Sequence, residues 1–548
     1  MKLLAVAAGA SDALSSLLFR QNAFFQAFLA IVVICACTRV ISGYRFSKIK
    51  NGRDSGIAPP TLPHWIPWLR HGLNMGWSAK GYIAQCLNEY GGETPFFIDG
   101  AGEKILILLN PKHVKHVLRS VHECDPNPFV HEKIMHQLMG SPHAAIDYYK
   151  SPESTLDHDQ MVQVRQLSSG SALPALDKRT FDVLMRNLSG SFGPTAKNGW
   201  TAIPDLYAFF EDCVTRTIIE VLFGSNIVKT YPTFAADMWR FIEDTDLFLT
   251  GLPRFLNAKA YATRARLLKH LRNLSREHDI LNTQNALNGE WHPIAGSILV
   301  QEREKMYAAL PGHDHEARAA QNLGILYATT GVIVPVSFWL CYETARTPSL
   351  QRRVNSELEA NRDPRSRRHD FSQLSATSFL QSLHAETCRK YGVTIPARRV
   401  VAPSFALDEK YVVPQGTTII MPSKYAGQYT PGWAAIRHSL IEKPLEQFWP
   451  ERFLVNKEVE KERFSDAGLV GSWTSFGGGA HHCPGRFWAR NIGMVMLAVF
   501  FGDYEVQIDD VEGARQLDPV WFESAYGTAR PKGKIAARIR RRELQKGQ

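Results

Sequence analysis

Residues 475–490 read SFGGGAHHCPGRFWAR and hold one cysteine, Cys483, in a glycine-rich loop that runs into an apolar helix. A thiolate that binds a metal must be shielded from water, and its negative charge must be met by hydrogen-bond donors. Glycine lets backbone N–H groups approach a sulfur because no Cβ stands in the way, and Gly477, Gly478, Gly479 and Gly485 flank this cysteine. Phe476 is placed to close one side of the sulfur. The following helix, expected over about 486–501, presents the N-terminal end that favours negative charge. These residue types in this order suit an iron-bound thiolate; a buried free cysteine is the plain alternative.

The order Phe476, Gly479, His481, Cys483 and Gly485, with Ala489 six residues after the cysteine, resembles the haem-binding signature of the cytochromes P450. The resemblance implies haem b (iron protoporphyrin IX), with Cys483 as the axial ligand of the haem iron. The departure is His481, where the family mostly has arginine. A histidine can donate to a haem propionate but is neutral near pH 7 unless its pKa is raised.

Three further stretches follow in the order the resemblance requires. Glu386 and Arg389 form an E-x-x-R pair on one face of a helix expected over 375–391, with Ser375 as its N-cap. The segment FWPERF at 448–453 supplies Arg452, 31 residues before Cys483. In the family such an arginine joins the Glu–Arg pair in a buried network behind the haem. Arg398, in a segment that reads as strand, matches the family's propionate-binding arginine, with Arg399 as the alternative.

Residues 316–346 form the longest helical candidate, apolar on nearly every face at its middle, LYATTGVIVPVSFW. The resemblance makes it the helix that crosses the distal face of the haem. Most members carry an acid followed by threonine at the oxygen site. Aligned on Ala328 and Gly331, those positions become Val332 and Ile333. Thr329 and Thr330 are the nearest hydroxyls, although in a helix they can bond back to the preceding turn. Pro335 is expected to kink the helix or break its hydrogen-bond ladder. The set Ala328, Pro335, Phe338 and Trp339 is similar to the branch that holds prostacyclin synthase and the bile-acid hydroxylases. That branch contains both monooxygenases and an oxygen-free isomerase.

The elements that position these residues are coarsely readable. The chain has 548 residues, a net charge of +10 and eight cysteines without C-x-x-C spacing. This argues against a disulfide scaffold or a structural zinc site, and no basic patch interleaved with aromatics points to nucleic acid. Residues 22–42 are apolar enough to cross a membrane, at about 30 Å as a helix; a cleaved signal peptide is the alternative, although no clear small-residue cleavage site follows. Arg45, Lys48, Lys50 and Arg53 follow, which places the rest of the chain in the cytosol by the positive-inside rule. A basic, proline-rich linker is expected over 43–68, after an N-terminal segment 1–21, and a single catalytic domain over 69–548.

Phe96 to Leu109 reads as two short strands around a turn. Helices are expected near 158–170, 176–190, 204–223, 233–249 and 259–286. Phe241, Phe248, Leu249, Leu252 and Phe255 are candidates for either pocket or core. Residues 411–421 read as a hairpin with a Pro-Gln-Gly turn. The last forty residues read as strands and loops with a basic tail.

The fold expected is therefore mainly α with a smaller β part, the cytochrome P450 fold behind an N-terminal transmembrane helix. The resemblance implies a monooxygenase that oxidises a lipophilic small molecule, such as a terpenoid, polyketide or alkaloid. Electrons would come from NADPH through cytochrome P450 reductase, with cytochrome b5 as a further partner, at the endoplasmic reticulum membrane. Val332 and Ile333 keep an oxygen-independent isomerase or dehydratase open as the alternative.

Overall fold

The computed structural model describes residues 2–542 other than 101, 193–198, 250–252, 288, 367, 458–459, 516, 518 and 521–526. Leu252 and the end of the basic tail lie outside the described residues. Two compact units form, one of residues 1–109 with 399–420, the other of residues 110–398 with 421–548. The segment 69–548, expected as one domain, is divided between them.

The first unit is built on a continuous helix, Lys2–Asn51. Within its part Phe25–Asn51 the most apolar 18-residue window has a mean hydropathy of 2.0 and is 6% buried. The helix does not stop at Ser42, because nothing before Gly52 breaks it and the prolines begin only at Pro59. At 50 residues it, and not the 316–346 candidate, is the longest described helix. Near residue 39 it begins to pack. Arg39 donates to the Tyr90 hydroxyl at 3.3 Å, Ser42 accepts from the His64 N–H at 3.1 Å, and Phe46 meets Tyr90 edge-on at 5.5 Å.

The two strands expected there, Phe96–Gly100 and Glu103–Ile107, pair antiparallel, and Thr418–Ile420 joins the second in parallel. The hairpin expected over 411–421 does not form. Val412–Pro414 pairs instead with Ser404–Ala406. The Asp408 carboxylate builds that turn by accepting from the N–H groups of Lys410 and Tyr411. The Pro-Gln-Gly turn, with Gly416 at φ +77°, then sends the chain to a different sheet.

In the second unit helices predominate. Leu156–Leu167, Leu173–Phe192, Leu206–Phe223 and Ala258–Thr283 lie where the apolar spacing places them. The helix expected over 233–249 is two, Phe234–Glu243 and Thr245–Leu249, parted at Asp244. Phe241 and Phe248 are core residues packed against each other at 5.4 Å, whereas Phe255 is 77% exposed.

The helix His315–Arg346 starts at Asp314, whose carboxylate accepts from the Ala317 N–H. It is long and apolar enough to span a membrane, but 72% of its most apolar window is buried in the unit, so it is a core helix. Pro335 does not break it. The lost ladder bond is offset by packing just beyond: Trp339 stacks on Tyr391 at 4.0 Å and donates to the Ala529 carbonyl at 2.6 Å.

The E-x-x-R helix is Ser378–Tyr391, and Ser375 is not its cap. Ser375 closes a separate short helix, Phe371–Ala376, which Asp370 caps. The helix Arg486–Leu497 crosses both larger helices closely at Gly493. A Cβ there would stand 3.0 Å from His384 and 3.2 Å from Leu340. The cysteine loop therefore leads into a closely packed helix crossing.

Candidate active site

The Cys483 N–H donates to the Phe476 carbonyl at 2.8 Å, which closes the loop on itself. Phe476 stands between Trp473, edge-on at 6.1 Å, and His384, roughly parallel at 6.4 Å. Gly479 is forced by space: its φ is +64° and a Cβ would lie 1.9 Å from the Leu118 carbonyl oxygen. Gly485 differs, since no protein atom lies within 4 Å of where its Cβ would be. Burial pushes the Cys483 thiol up. The N–H of Gly485, the Arg486 charge and the Arg486 N–H all act the other way. Donors that a thiolate needs are thus arranged at the head of the helix.

Glu386, Arg389 and Arg452 come together with all three side chains fully buried. Arg389 grips both Glu386 oxygens at 2.7 and 2.8 Å, and Arg452 approaches both at 3.2 Å. Arg452 also donates to the carbonyls of Leu440, Lys443, Pro444 and Gln447. Arg389 binds one carbonyl besides the acid, that of Gly427.

Arg398 is buried and Arg399 exposed. Burial lowers the Arg398 pKa, opposed by the charges of Asp125 and Cys124. His481 lies within reach of the same field. Burial and Arg398 hold its pKa below the usual value, against Asp125 and Asp157. Asp125 and Asp157, more than 300 residues before His481, had no local signal that could have linked them to it.

On the long helix the described residues separate by face. Ala328 is exposed and Ile325, Thr329 and Val332 are half-buried, as is Gly324 beside them, while the other residues from 317 to 344 are buried. Their spacing puts all four on one stripe. The Thr329 hydroxyl donates back to the Ile325 carbonyl at 2.8 Å. Thr330 points elsewhere, with its hydroxyl fully buried and without a hydrogen-bond partner. Gly331 is covered by Ile242, and its carbonyl by Gly527; Ile333 is buried at 6% exposure.

A haem would need a shielded sulfur with donors, a cationic side chain for its carboxylates and a slot against an apolar helix face. Cys483 with its opposing donors, the buried Arg398 and the apolar stripe at 325–332 are groups of those kinds, and all belong to the same unit.

The cytochrome P450 family profile matches residues 59–532, most of the chain. The chain is a cytochrome P450. The P450 is 28% identical to the cytochrome P450 monooxygenase fsoE of Humicola fuscoatra, over 89% of this chain and 88% of that one. It is 26% identical to the cytochrome P450 monooxygenase efuG of Hormonema carpetanum, over 94% and 96%. It is 27% identical to the cytochrome P450 monooxygenase calL of Penicillium decumbens, over 77% and 81%. As a P450 it is an oxidoreductase of the haem-dependent monooxygenase family, whose members typically take electrons from a redox partner.

Proposed function

We propose that this P450 hydroxylates, or otherwise oxidises, a lipophilic small molecule of fungal secondary metabolism, a terpenoid, polyketide or alkaloid intermediate. Cys483 holds the haem iron, Arg398 and His481 meet the propionates, and Glu386, Arg389 and Arg452 brace the segment behind it. Bound haem supplies the activation of dioxygen and the insertion of one oxygen atom into a C–H bond. The observation that carries the reading is the open, almost wholly apolar stripe Ile325, Ala328, Thr329, Val332 inside an otherwise buried helix. An apolar substrate gains by leaving water there. The stripe offers no carboxylate. Thr329 has already spent its proton on Ile325, so its oxygen is left to accept from a water or a substrate hydroxyl.

Electrons come from NADPH through cytochrome P450 reductase, with cytochrome b5 as a further donor. The enzyme sits in the endoplasmic reticulum membrane by its N-terminal helix, with the catalytic part in the cytosol. Support for the membrane position comes from Trp68 and Trp77, 87% and 94% exposed, with Leu69 and Leu73 between them. Trp65, 5.9 Å from the Arg39 guanidinium, links this apolar patch to the end of the anchor. Tryptophans at such a level suit a membrane–water interface.

Membranes containing the protein and its reductase, supplied with metabolite extract under heavy-oxygen gas with and without NADPH, test the reading. An NADPH-dependent product carrying one heavy oxygen supports it. A product formed without NADPH and without heavy oxygen replaces it with an isomerase or dehydratase, to which Val332 and Ile333 would then belong.

A further inference from the structure

The segment after Gly527 is pinned independently of its side chains. Gly527 accepts from the Val393 N–H at 2.8 Å, Ala529 donates to the Tyr391 carbonyl at 2.8 Å, and the Ala529 carbonyl takes the Trp339 indole N–H at 2.6 Å. Three donors and acceptors from two buried helices and the turn after them make it a fixed post. The next residue, Arg530, reaches outward from that post. Its guanidinium lies over the Trp239 ring at 4.6 Å and donates to Glu243 at 2.8 Å. Both partners belong to the helix Phe234–Glu243, which stops at the break at Asp244.

The two ion-paired segments meet again one step away. Ile242, next to Glu243, lies 3.9 Å from where a Gly331 Cβ would be. Gly527, three residues before Arg530, stands so close that its own Cβ would be 2.8 Å from the Gly331 carbonyl oxygen and 3.2 Å from Val332. Gly331 and Val332 belong to the helix whose open stripe faces the proposed substrate. We propose that Arg530 is a positioning residue: by holding Glu243 and Trp239 it fixes the end of their helix over Gly331, and so sets the size of substrate the site admits. The inference rests on the reading of that stripe as the substrate face.

Stability alone does not account for the pair. Glu243 is 56% exposed, and an exposed ion pair contributes little to folding. A second acid, Glu211 on the helix Leu206–Phe223, waits 3.9 Å from the same guanidinium, beyond hydrogen-bonding distance. If Glu243 loses its charge, Arg530 keeps an acidic neighbour and its stack, while the helix end loses its tether. The consequence falls on the roof over Gly331.

The test uses the full-length, haem-loaded protein and two iron-binding probes of different bulk, imidazole and 4-phenylimidazole, read by the shift of the haem absorption band. Arg530→Met and Glu243→Gln are each expected to change the ratio of the two dissociation constants by about fivefold or more, in the same direction. The exchange Glu243→Arg with Arg530→Glu, which restores the ion pair but not the stack on Trp239, should bring it part of the way back. Arg540→Met, which breaks a comparable surface pair with Glu505, should leave the ratio alone. An unchanged ratio in Glu243→Gln overturns the proposal, as does a shift that the exchange fails to reduce. Should Arg530→Met not fold, Glu243→Gln and the exchange still decide. If the unmodified protein gives no shift with imidazole, the site reading itself fails, and the positioning role with it.

Discussion

Asn491 donates its side-chain N–H to the Asp177 carboxyl at 2.6 Å, and both side chains are buried. The other carboxyl oxygen of Asp177 and the amide oxygen of Asn491 have no hydrogen-bond partner. A proton on Asp177 would let the acid donate to the Asn491 amide oxygen, giving two bonds between the pair. Burial pushes the Asp177 pKa up to about 7, with the Asn491 N–H acting against it. The helix that carries Asn491 is the one that leaves the cysteine loop.

A pH dependence follows. The folded pKa is raised above the unfolded value of about 3.9. Below about pH 4 the group is protonated in both states and is neutral in the balance. As the pH rises, the unfolded chain ionises first, and the group's contribution worsens until the folded carboxyl titrates near pH 7. The full loss reaches up to about 4 kcal/mol at higher pH. Asp177→Asn keeps a donor and an acceptor for Asn491 without the charge. It is expected to unfold at a higher temperature than the unmodified protein at pH 8, and with little difference at pH 4. Equal midpoint shifts at both pH values would show that Asp177 does not titrate in this range.

The buried network should respond unequally to loss of its two arginines. Arg452→Met removes four bonds to backbone carbonyls besides those to Glu386, whereas Arg389→Met removes one. Leaving Glu386 without a partner arginine, or carbonyls without donors, costs about 3–5 kcal/mol when buried. Arg452→Met is therefore expected to lose more haem and unfold earlier than Arg389→Met. Arg452→Lys should rescue poorly, since an ammonium cannot reproduce the planar fork. Haem content per polypeptide and the thermal midpoint, compared across the three variants, check the order.

Cys483→Ser should abolish the reduced, carbon monoxide-bound absorption band that gives the family its name, while Cys388→Ser should keep it. Cys388 is the nearest contrast: it is fully buried beside His384, its thiol pushed up to about 12 by that burial alone. The cysteine in the loop has N–H groups and a cation opposing its burial; the one in the helix has none of these causes. Persistence of the band in Cys483→Ser would move the ligand elsewhere.

What was legible in the sequence depended on how local its cause was. The cysteine loop and the i, i+3 pair Glu386–Arg389 could be read because each is set by neighbours along the chain. Arg452 could be placed only by its order relative to them, since its side-chain partner Glu386 is 66 residues away in sequence and its other partners are backbone carbonyls. The hairpin over 411–421 was misread because two turns compete there. Asp408 satisfies two N–H groups with one carboxylate, whereas the Pro-Gln-Gly turn only redirects the chain. Ser375 is not the cap because it lies inside the separate short helix Phe371–Ala376, where its hydroxyl donates to the Ser372 carbonyl, and the next helix starts only after Thr377. Asp177 and Asn491 lie 314 residues apart, and neither has a neighbour that announces the other.

Two of the loop's four glycines, Gly479 and Gly485, give a sharp separation between protein packing and cofactor fit. Gly479→Ala places a Cβ in the Leu118 carbonyl and demands φ +64° of an alanine, so the loop must move whatever is bound. It is expected to reduce both folding yield and haem content. Gly485→Ala meets no protein atom, and Gly485 has φ −87°, which alanine adopts freely. Folding yield and thermal stability of the polypeptide should therefore hold. Any loss must come from the side that the haem occupies, and should appear as a weaker or displaced haem absorption band. Measuring yield and band together for the two variants tests the placement of the haem against Gly485. A Gly485→Ala protein with an unaltered band would show that the haem does not approach that residue.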